Sequence, residues 1–286
     1  MTTVIDPIQV RLPARGVGHD LRGVKVVMHR ELIRFWQDRM RIVVALVQPV
    51  LFLFVLGTGL SSLTSAGAGG VNLRTFMFPG VLAMSVMMPA MFSASTIVFD
   101  REYGFLREML VAPVSRAAIV IGKCLGGAVV ATGQGLLVLV LAPVVGIPYS
   151  FGWMFAAVAQ LVVLSFTLTT FGVLAAGRIK TIQGFMALVN MIVMPMLFLS
   201  GAMFPLSGLP LWLRGLTLLN PLTYAVDAIR RTIFEDLAIS GAARQVLVPG
   251  VHWGGWQVPV SVEMAVVAVV GLVVLAAAVA QFRRAD

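Results

Sequence analysis

FMFPGVLAMSVMMPAMFSASTIVF, from Phe76 to Phe99, contains no Asp, Glu, Lys or Arg. As a helix rising about 1.5 Å per residue, this stretch is long enough to cross the roughly 30 Å hydrocarbon core of a bilayer. Charges return at once in Asp100, Arg101 and Glu102. The pattern predicts a membrane-spanning helix that ends at a polar surface.

The composition of the whole chain also indicates a membrane protein. Of its 286 residues, 59% are apolar and 12% are charged, whereas a soluble domain has about 45–50% apolar and about 25% charged residues. So few charged side chains could not cover a water-exposed globule, which excludes a soluble enzyme. Low charge also excludes intrinsic disorder. The only cysteine, Cys124, excludes a disulfide framework and is expected to be a buried apolar residue.

Six uncharged runs of about twenty residues predict six transmembrane helices. Strands of a membrane barrel would be about ten residues long with alternating polarity, which these runs do not show. The predicted fold class is an all-α polytopic membrane protein, with a cytoplasmic segment over residues 1–41 and a transmembrane domain over residues 42–286. The predicted spans are 42–63, 76–99, 124–146, 153–176, 182–204 and 264–282.

The positions of the basic residues predict the orientation. Residues 1–41 hold eight of the 21 Lys and Arg and no apolar run typical of a cleaved signal peptide, so the amino end is expected in the cytoplasm. With six spans, the carboxyl end is cytoplasmic too, and 16 of the 21 basic residues lie on that side. The net charge of +9 is then explained by topology and by anionic membrane lipids, and no nucleic-acid binding is expected.

The mostly apolar segment 206–229 does not fit a simple span. Pro205, Pro210 and Pro221 interrupt it, and each interior proline removes a helical hydrogen bond. A seventh span here would place the carboxyl end outside, and the count of basic residues barely separates the two topologies. We favour a broken, re-entrant segment on the outer side, between the fifth and sixth spans.

A helix is predicted within the second half of this segment. Asn220 followed by Pro221 has the form of an N-cap and a first-turn proline. The helix is expected to run to about Leu237, with Asp227 and Arg231 as an i,i+4 pair. We expect an amphipathic helix at the outer interface, with a solvated loop helix as the alternative.

No catalytic or metal-binding pattern is found, so the chain is not expected to be an enzyme. The phosphate-loop motif G-x-x-x-x-G-K-[ST] is absent, and His19, His29 and His252 are scattered without metal-ligand spacing. The predicted spans also lack the Asp, Glu or His at membrane depth that proton-coupled transporters use. Glu263 is expected to be hydrated at the outer edge of the last span. Sodium coupling through backbone carbonyls is left open.

The segment before the first span is predicted to form an amphipathic helix. Its apolar residues recur at spacings of three and four, and basic residues lie between them. We expect it to lie flat on the cytoplasmic face, with its apolar side in lipid. A plain anchor and a role in docking a partner are both open. The apolar residues are Leu21, Val24, Met28, Leu32 and Phe35.

The loop between the second and third predicted spans mixes charged and apolar residues and reads DREYGFLREMLVAPVSR over residues 100–116. This run resembles the cytoplasmic coupling loop of type-2 ABC exporter permeases, the membrane subunits of drug, lipid and polysaccharide exporters. FPG at 78–80, SGAMFP at 200–205 and LNPLTYAVDAIR at 219–230 are similar to further signatures of that family, in the same order. Phe105 departs from the threonine that is common in the drug-exporter branch.

The resemblance implies that this loop forms a short coupling helix seated in a groove of a separate ABC ATPase subunit. That partner would bind ATP and Mg, and this chain would bind no cofactor. The permease would pair with a second copy of itself or with a sister permease. The coupling residues implied are Arg101, Glu102, Gly104, Phe105, Leu106, Arg107, Glu108, Leu110 and Pro113.

By the same resemblance, the substrate route lies between the two subunits and is lined by the first, second and fifth spans. Methionines on such a route adapt to varied apolar shapes. The substrate-path candidates are Gln48, Phe52, Met84, Met88, Asn190 and Met194. The broken segment would cover the outer mouth, with Pro205, Pro210, Asn220, Pro221 and Arg230 as gate candidates.

The expected function is therefore that of a permease subunit of an ATP-driven exporter in a bacterial inner membrane. A drug-like or lipid-like cargo is favoured over a polysaccharide, because the spans lack an array of aromatic residues for stacking on glycans. The alternatives are an ion-coupled secondary transporter, a polysaccharide export permease, and a membrane assembly or immunity protein that moves no cargo.

Overall fold

The computed structural model describes residues 17–37, 39–59, 73–104, 115–203, 210–235, 237, 244 and 247–284. Within these ranges the regular structure is helical apart from one short β-hairpin. The helices are α1 Val17–Gln37, α2 Arg39–Leu51, α3 Leu73–Ser93, α4 Ser95–Glu102, α5 Arg116–Leu139, α6 Phe151–Ala176, α7 Ile182–Leu199, α8 Leu211–Leu219, α9 Pro221–Glu235 and α10 Val260–Arg284; the hairpin pairs β1 His252–Trp253 with β2 Trp256–Gln257.

Five helical segments of the described chain are long and apolar enough to cross a membrane. They are α5, α6, α7, α10 and the pair α3–α4, which together run from Leu73 to Glu102 with a turn at Ala94. α2 is shorter, contains Pro49, and continues as a π-helix over Phe52–Leu56 and a last turn over Gly57–Gly59. The all-α polytopic fold class is confirmed, and the crossing by residues 39–59 stays a prediction.

The helix at the third predicted span, 124–146, has different bounds from that span. α5 begins at Arg116, eight residues before the predicted start at Cys124, and ends at Leu139, where a 3₁₀ turn over Ala142–Val145 follows. The predicted spans contain no charged residue, so the third span was predicted to begin directly after Lys123. Lys123 is nevertheless buried inside the helix, because carboxylates of two neighbouring helices pair with it. Cys124 is fully buried, as predicted.

The centre of the bundle is formed by α3, α5 and α6. The backbones of α3 and α6 approach so closely at Gly172 that a Cβ there would overlap the carbonyl oxygen of Met91. Glycine is therefore required at this crossing, as at many helix contacts within membranes. Large side chains that are fully buried in this core include Phe78, Leu82, Leu161, Leu164 and Leu168.

α1 packs against α5 instead of placing its whole apolar side in lipid. A Cβ at Gly122 would lie 2.9 Å from Cβ of Val27, and one at Gly126 would lie 3.0 Å from Cβ of Glu31. The predicted helix is present, and Leu21 at one end of it is 64% exposed. The expectation of a helix with its apolar side in lipid was wrong for the face that meets these two glycines.

The segment after α7 is broken into two helices, as the prolines predicted. Asn220 caps α9, since its Oδ1 accepts a hydrogen bond from the backbone N of Leu222 at 3.1 Å. All residues from Pro221 to Arg230 are buried. The expected interfacial helix is thus inserted into the protein, where it packs on α3, α6 and α10, and it ends at Glu235 instead of Leu237.

Candidate functional site

The two ends of the helical bundle carry different structures. We term the end that holds Glu102, Arg116 and Phe282 the charged end, and the opposite end, which holds α8 and the β-hairpin, the hairpin end. At the charged end, Nη1 of Arg101 donates to the carbonyl oxygens of Ala176 and Ile179 at 3.0 and 2.8 Å. A cation on the last carbonyls of a helix is stabilised by the negative end of the helix dipole. Arg101 therefore fastens α4 to the end of α6.

Glu102 and Arg116 fasten the same region to two further helices. Oε2 of Glu102 accepts a hydrogen bond from the backbone N of Ile182, the first residue of α7, at 2.8 Å. Nη1 of Arg116 donates to the carbonyl oxygen of Phe282 near the end of α10, at 3.2 Å. The two flanks of the predicted coupling loop are thus bonded to α6, α7 and α10.

A buried ionic cluster ties α1 to the helices that enter and leave the loop. Nζ of Lys123 lies 3.3 Å from Oδ2 of Asp100 and 3.5 Å from Oε1 of Glu31, and it donates to Oγ1 of Thr96 at 2.8 Å. The side chains of Lys123 and Asp100 are each 4% exposed. Arg30 reaches Asp100 from α1 at 3.8 Å. We define Glu31, Asp100 and Lys123 as the buried cluster.

The buried cluster was not predicted from the sequence, because Asp100 and Lys123 border uncharged runs and therefore resemble surface charges. One signal was present: Asp100 and Lys123 are the charged residues nearest to two adjacent spans, and they have opposite signs. Of the coupling-loop candidates, the structure describes Arg101, Glu102 and Gly104. Gly104 lies two residues after the end of α4 and has φ +83°, a value that favours glycine. The remaining candidates, Phe105, Leu106, Arg107, Glu108, Leu110 and Pro113, lie outside the described residues.

A cavity of 390 Å³ lies between α2, α3, α5 and α7, and three of the substrate-path candidates line it: Gln48, Met84 and Met88. None of its described lining residues is charged. A volume of this size falls within the range of small-molecule sites, about 300–1,000 Å³. The other lining residues are Pro49, Ser85, Pro89, Phe92, Ser95, Gln134 and Met186.

The other three substrate-path candidates lie away from this cavity. Phe52 is partly buried in the π-helical turn after α2. Asn190 and Met194 are one turn apart on α7 and are both exposed on the surface of the single chain. The structure thus brings half of the six candidates together and leaves two on an outward face.

A second ionic cluster is buried at the hairpin end. Nε of Arg231 lies 3.0 Å from Oδ2 of Asp227, the predicted i,i+4 pair, and Nη2 of the same guanidinium binds Oε1 of Glu263. Asp227 also accepts a hydrogen bond from the backbone N of Val251 at 3.0 Å. Glu263 is fully buried, so the expectation of a hydrated carboxylate was wrong. Arg231, which lies 32 positions earlier in the chain, compensates the charge of Glu263. A pairing over this distance in sequence is not visible in the pattern of the last span.

Among the gate candidates, Arg230 and Asn220 make the most contacts. The guanidinium of Arg230 lies 4.4 Å from the ring centre of Phe76 on α3, and its Nη2 donates to the carbonyl oxygen of Gly201 at 2.6 Å. Asn220 donates from Nδ2 to the carbonyl oxygen of Met196 at 2.7 Å. Pro221 is buried in α9, Pro210 is exposed before α8, and Pro205 lies outside the described residues. The broken segment is thereby bonded to the ends of α3 and α7.

The described residues offer no group of three or more His, Cys, Asp or Glu that could hold a metal ion. Both ionic clusters lie within the first few turns of helix ends, and in each of them two carboxylates share one cation. A bundle with five helices long and apolar enough to cross a membrane is typical of a multi-pass membrane protein. The chain matches the ABC-2 type transporter family over residues 22–234 and belongs to that family.

Relatives of this chain have names that agree with the family. A chain named as a transport permease, ycf38, from Cyanophora paradoxa is 29% identical over 214 residues, which cover 72% of each chain. The inner membrane transport permease YadH from Escherichia coli K12 is 28% identical over 73% of this chain and 81% of its own length. YbhR from the same organism, named as a multidrug ABC transporter permease, is 29% identical over 59% of this chain but only 46% of its own length.

Proposed function

We propose that this permease subunit belongs to an ATP-driven exporter and moves a drug-like or lipid-like molecule out of the cell, with a separate ATPase subunit as its motor. The observation that carries the proposal is that the residues on both sides of segment 103–115 are hydrogen-bonded to other helices. Arg101 and Glu102 bond one flank to α6 and α7, and Arg116 bonds the other to α10. A partner that displaced this loop would therefore move several helices together.

The path of that displacement follows the polar contacts. The loop continues directly into α4 on one side and α5 on the other. The buried cluster joins these two helices to each other and to α1 through contacts of 3.3 and 3.5 Å. Packed helices joined in this way move as one rigid body, so a push at the charged end would shift α3 and α5 together and change their distance from α2, which lines the same cavity.

We propose that the charged end faces the cytoplasm of a bacterium, with both termini and the partner ATPase on that side, and that the membrane is the inner membrane. Arg30, Arg101, Arg116, Arg178 and Lys180 lie in the helix ends and connection of this end, as the positive-inside rule favours. ATP and Mg would bind to the ATPase and not to this chain. Residues 39–59 would supply a sixth crossing, whose last turn already lies beside Arg74 at the hairpin end.

The partners proposed are an ABC ATPase subunit, a second copy of this chain or a sister permease, and membrane lipids. Support for a second permease comes from α7, which exposes the amide of Asn190 on a face with Met194. An amide is costly in hydrocarbon, because lipid tails offer it no hydrogen bond. A neighbouring subunit on this face would cover it and would bring the cavity beside a shared route.

The cargo is proposed from the cavity, whose lining is uncharged and rich in methionine. Such a surface suits apolar molecules of varied shape and offers nothing to neutralise an ion. The relative YbhR, named as a multidrug permease, agrees with a drug-like cargo. A polysaccharide would require more polar and aromatic side chains than this lining provides.

The test is to reconstitute the full chain with its co-encoded ATPase in lipid vesicles and to measure ATP hydrolysis and cargo transport. Glu102→Arg places a cation at the N-terminus of α7 and removes its hydrogen-bond acceptor. Gly104→Pro cannot adopt φ +83°. We expect each to lower coupled activity about ten-fold or more, the size of a lost charged hydrogen bond.

Glu235→Arg is the matched control, because this carboxylate is exposed at the hairpin end, away from the proposed ATPase contact. It should retain activity within about two-fold, as most exposed substitutions do. All three proteins are first checked for assembly by size-exclusion chromatography. Full activity of assembled Glu102→Arg and Gly104→Pro complexes would refute coupling through this loop.

A further inference from the structure

Among the described residues that line the cavity between α2, α3, α5 and α7, one buried polar atom has no hydrogen-bond partner. Gln134 on α5 is 2% exposed, and its side-chain oxygen Oε1 has no hydrogen-bond partner among the described residues. Most buried carbonyl oxygens in proteins accept at least one hydrogen bond, so a buried acceptor left open calls for an explanation. Gln134 lines the cavity, and rotation of its side-chain amide would turn Oε1 toward a donor on a molecule inside the cavity.

The other polar residues of the lining do not provide an equivalent group. Ser85 donates its hydroxyl to the carbonyl oxygen of Leu82 within its own helix at 2.7 Å. Gln48 is exposed and Ser95 is half-buried, so neither is an enclosed acceptor like Gln134. Gln134 therefore stands alone as a deeply buried acceptor, on a helix that the substrate-path prediction had not included.

We infer that Gln134 recognises the cargo by accepting a hydrogen bond from it. The ligand class is an uncharged amphipathic molecule with a hydroxyl or amide N–H on an apolar body that fits within 390 Å³. The described lining has no charged side chain, which disfavours ions, while Met84 and Met88 adapt to the apolar part. The assignment of Gln134 as a specificity-determining residue rests on the proposed function, in which this cavity binds the cargo.

Two probes that differ only in the donor test this inference: 1-pyrenebutanol and its methyl ether. Saturable binding of each is measured by fluorescence to the full chain in lipid nanodiscs, without nucleotide. Wild type is compared with Gln134→Leu and Gln134→Met, so that one substitution with poor folding does not decide the result. Each probe is compared across proteins in identical discs, which cancels its partition into lipid.

A second buried glutamine provides the matched control. Gln160 on α6 is 6% exposed and also has an Oε1 without a partner among the described residues, but it does not line the cavity. Its Nε2 donates to Oγ1 of Thr232 at 2.8 Å. Gln160→Leu thus removes a similar group from a similar environment at a different place.

We expect both Gln134 substitutions to raise the Kd of the alcohol about ten-fold and to change that of the ether less than about two-fold, as loss of one buried hydrogen bond predicts. Gln160→Leu should leave both constants within about two-fold. An unchanged alcohol Kd, an equal loss for the ether, or no saturable binding of either probe to wild type would overturn the inference.

This test is separate from that of the proposed function, because it uses neither ATP nor transport. If the Gln134 substitutions weaken binding of the alcohol only, while Glu102→Arg and Gly104→Pro keep full activity, the ligand site is supported and coupling to the ATPase through this loop is refuted. If transport depends on the ATPase but the Gln134 substitutions affect the alcohol and the ether equally, coupling to the ATPase is supported and the role of Gln134 is refuted.

Discussion

Replacing Lys123 with methionine tests the buried cluster that joins α1, α4 and α5. The substitution keeps the length of the side chain and leaves Asp100 and Glu31 facing each other without their shared cation. Two contacts of 3.3 and 3.5 Å are each worth about 5 kcal/mol of Coulomb energy at an effective dielectric constant of about 20, before desolvation offsets most of it. Removal of one partner from a buried ion pair costs about 3–5 kcal/mol.

The expected result is a fall in the apparent melting temperature on the order of 10 °C. The assay heats the detergent-solubilised full chain and follows the folded fraction by size-exclusion chromatography. The triple substitution Lys123→Met, Asp100→Asn and Glu31→Gln removes all three charges and should recover at least half of the loss. Lys180→Met, an exposed lysine at the same end, should change stability by less than about 0.5 kcal/mol.

Two outcomes would refute this view of the cluster. A wild-type melting temperature for Lys123→Met would mean that the charges are hydrated and not buried. A triple substitution no more stable than the single one would mean that lost packing, and not uncompensated charge, destabilises the chain.

Three further contacts are tested by the same heating assay. Arg231→Met leaves Glu263 buried without its cation and should cost about 3–5 kcal/mol, whereas Glu263→Gln should cost less; equal losses would contradict the pairing. Gly172→Leu should separate α3 from α6 and cost at least about 1–3 kcal/mol, while Gly133→Ala, which enters open space, should stabilise the chain slightly; similar effects of both would be inconsistent with close packing. Asn220→Ala removes the cap of α9 and should cost about 1–2 kcal/mol, and no loss would argue against capping.

The features that the sequence predicted well depend on local patterns. Long uncharged runs located the α3–α4 pair, α6, α7 and α10 to within a few residues, because apolar length is what a bilayer selects. Asn220 and Pro221 predicted the start of α9 correctly, since capping involves only neighbouring residues. The break of the segment before α9 likewise followed from its prolines.

The features that the sequence did not reveal depend on distant partners. Lys123 and Glu263 looked like surface charges because the carboxylates and the arginine that pair with them lie on other helices. The burial of α9 could not be predicted from its amphipathic pattern, which suits a lipid interface and a protein interior equally well. Gln134 was missed because a single glutamine in a span carries no pattern, and its importance becomes visible only with the cavity.

The most direct test of ATP-driven export uses inverted membrane vesicles, with and without the co-encoded ATPase, and follows uptake of a fluorescent lipophilic dye. With both subunits present, uptake into the vesicles should require ATP and should persist when ion gradients are collapsed by ionophores. Uptake that follows an imposed ion gradient in vesicles lacking the ATPase would contradict an ATP-driven permease and would favour an ion-coupled transporter.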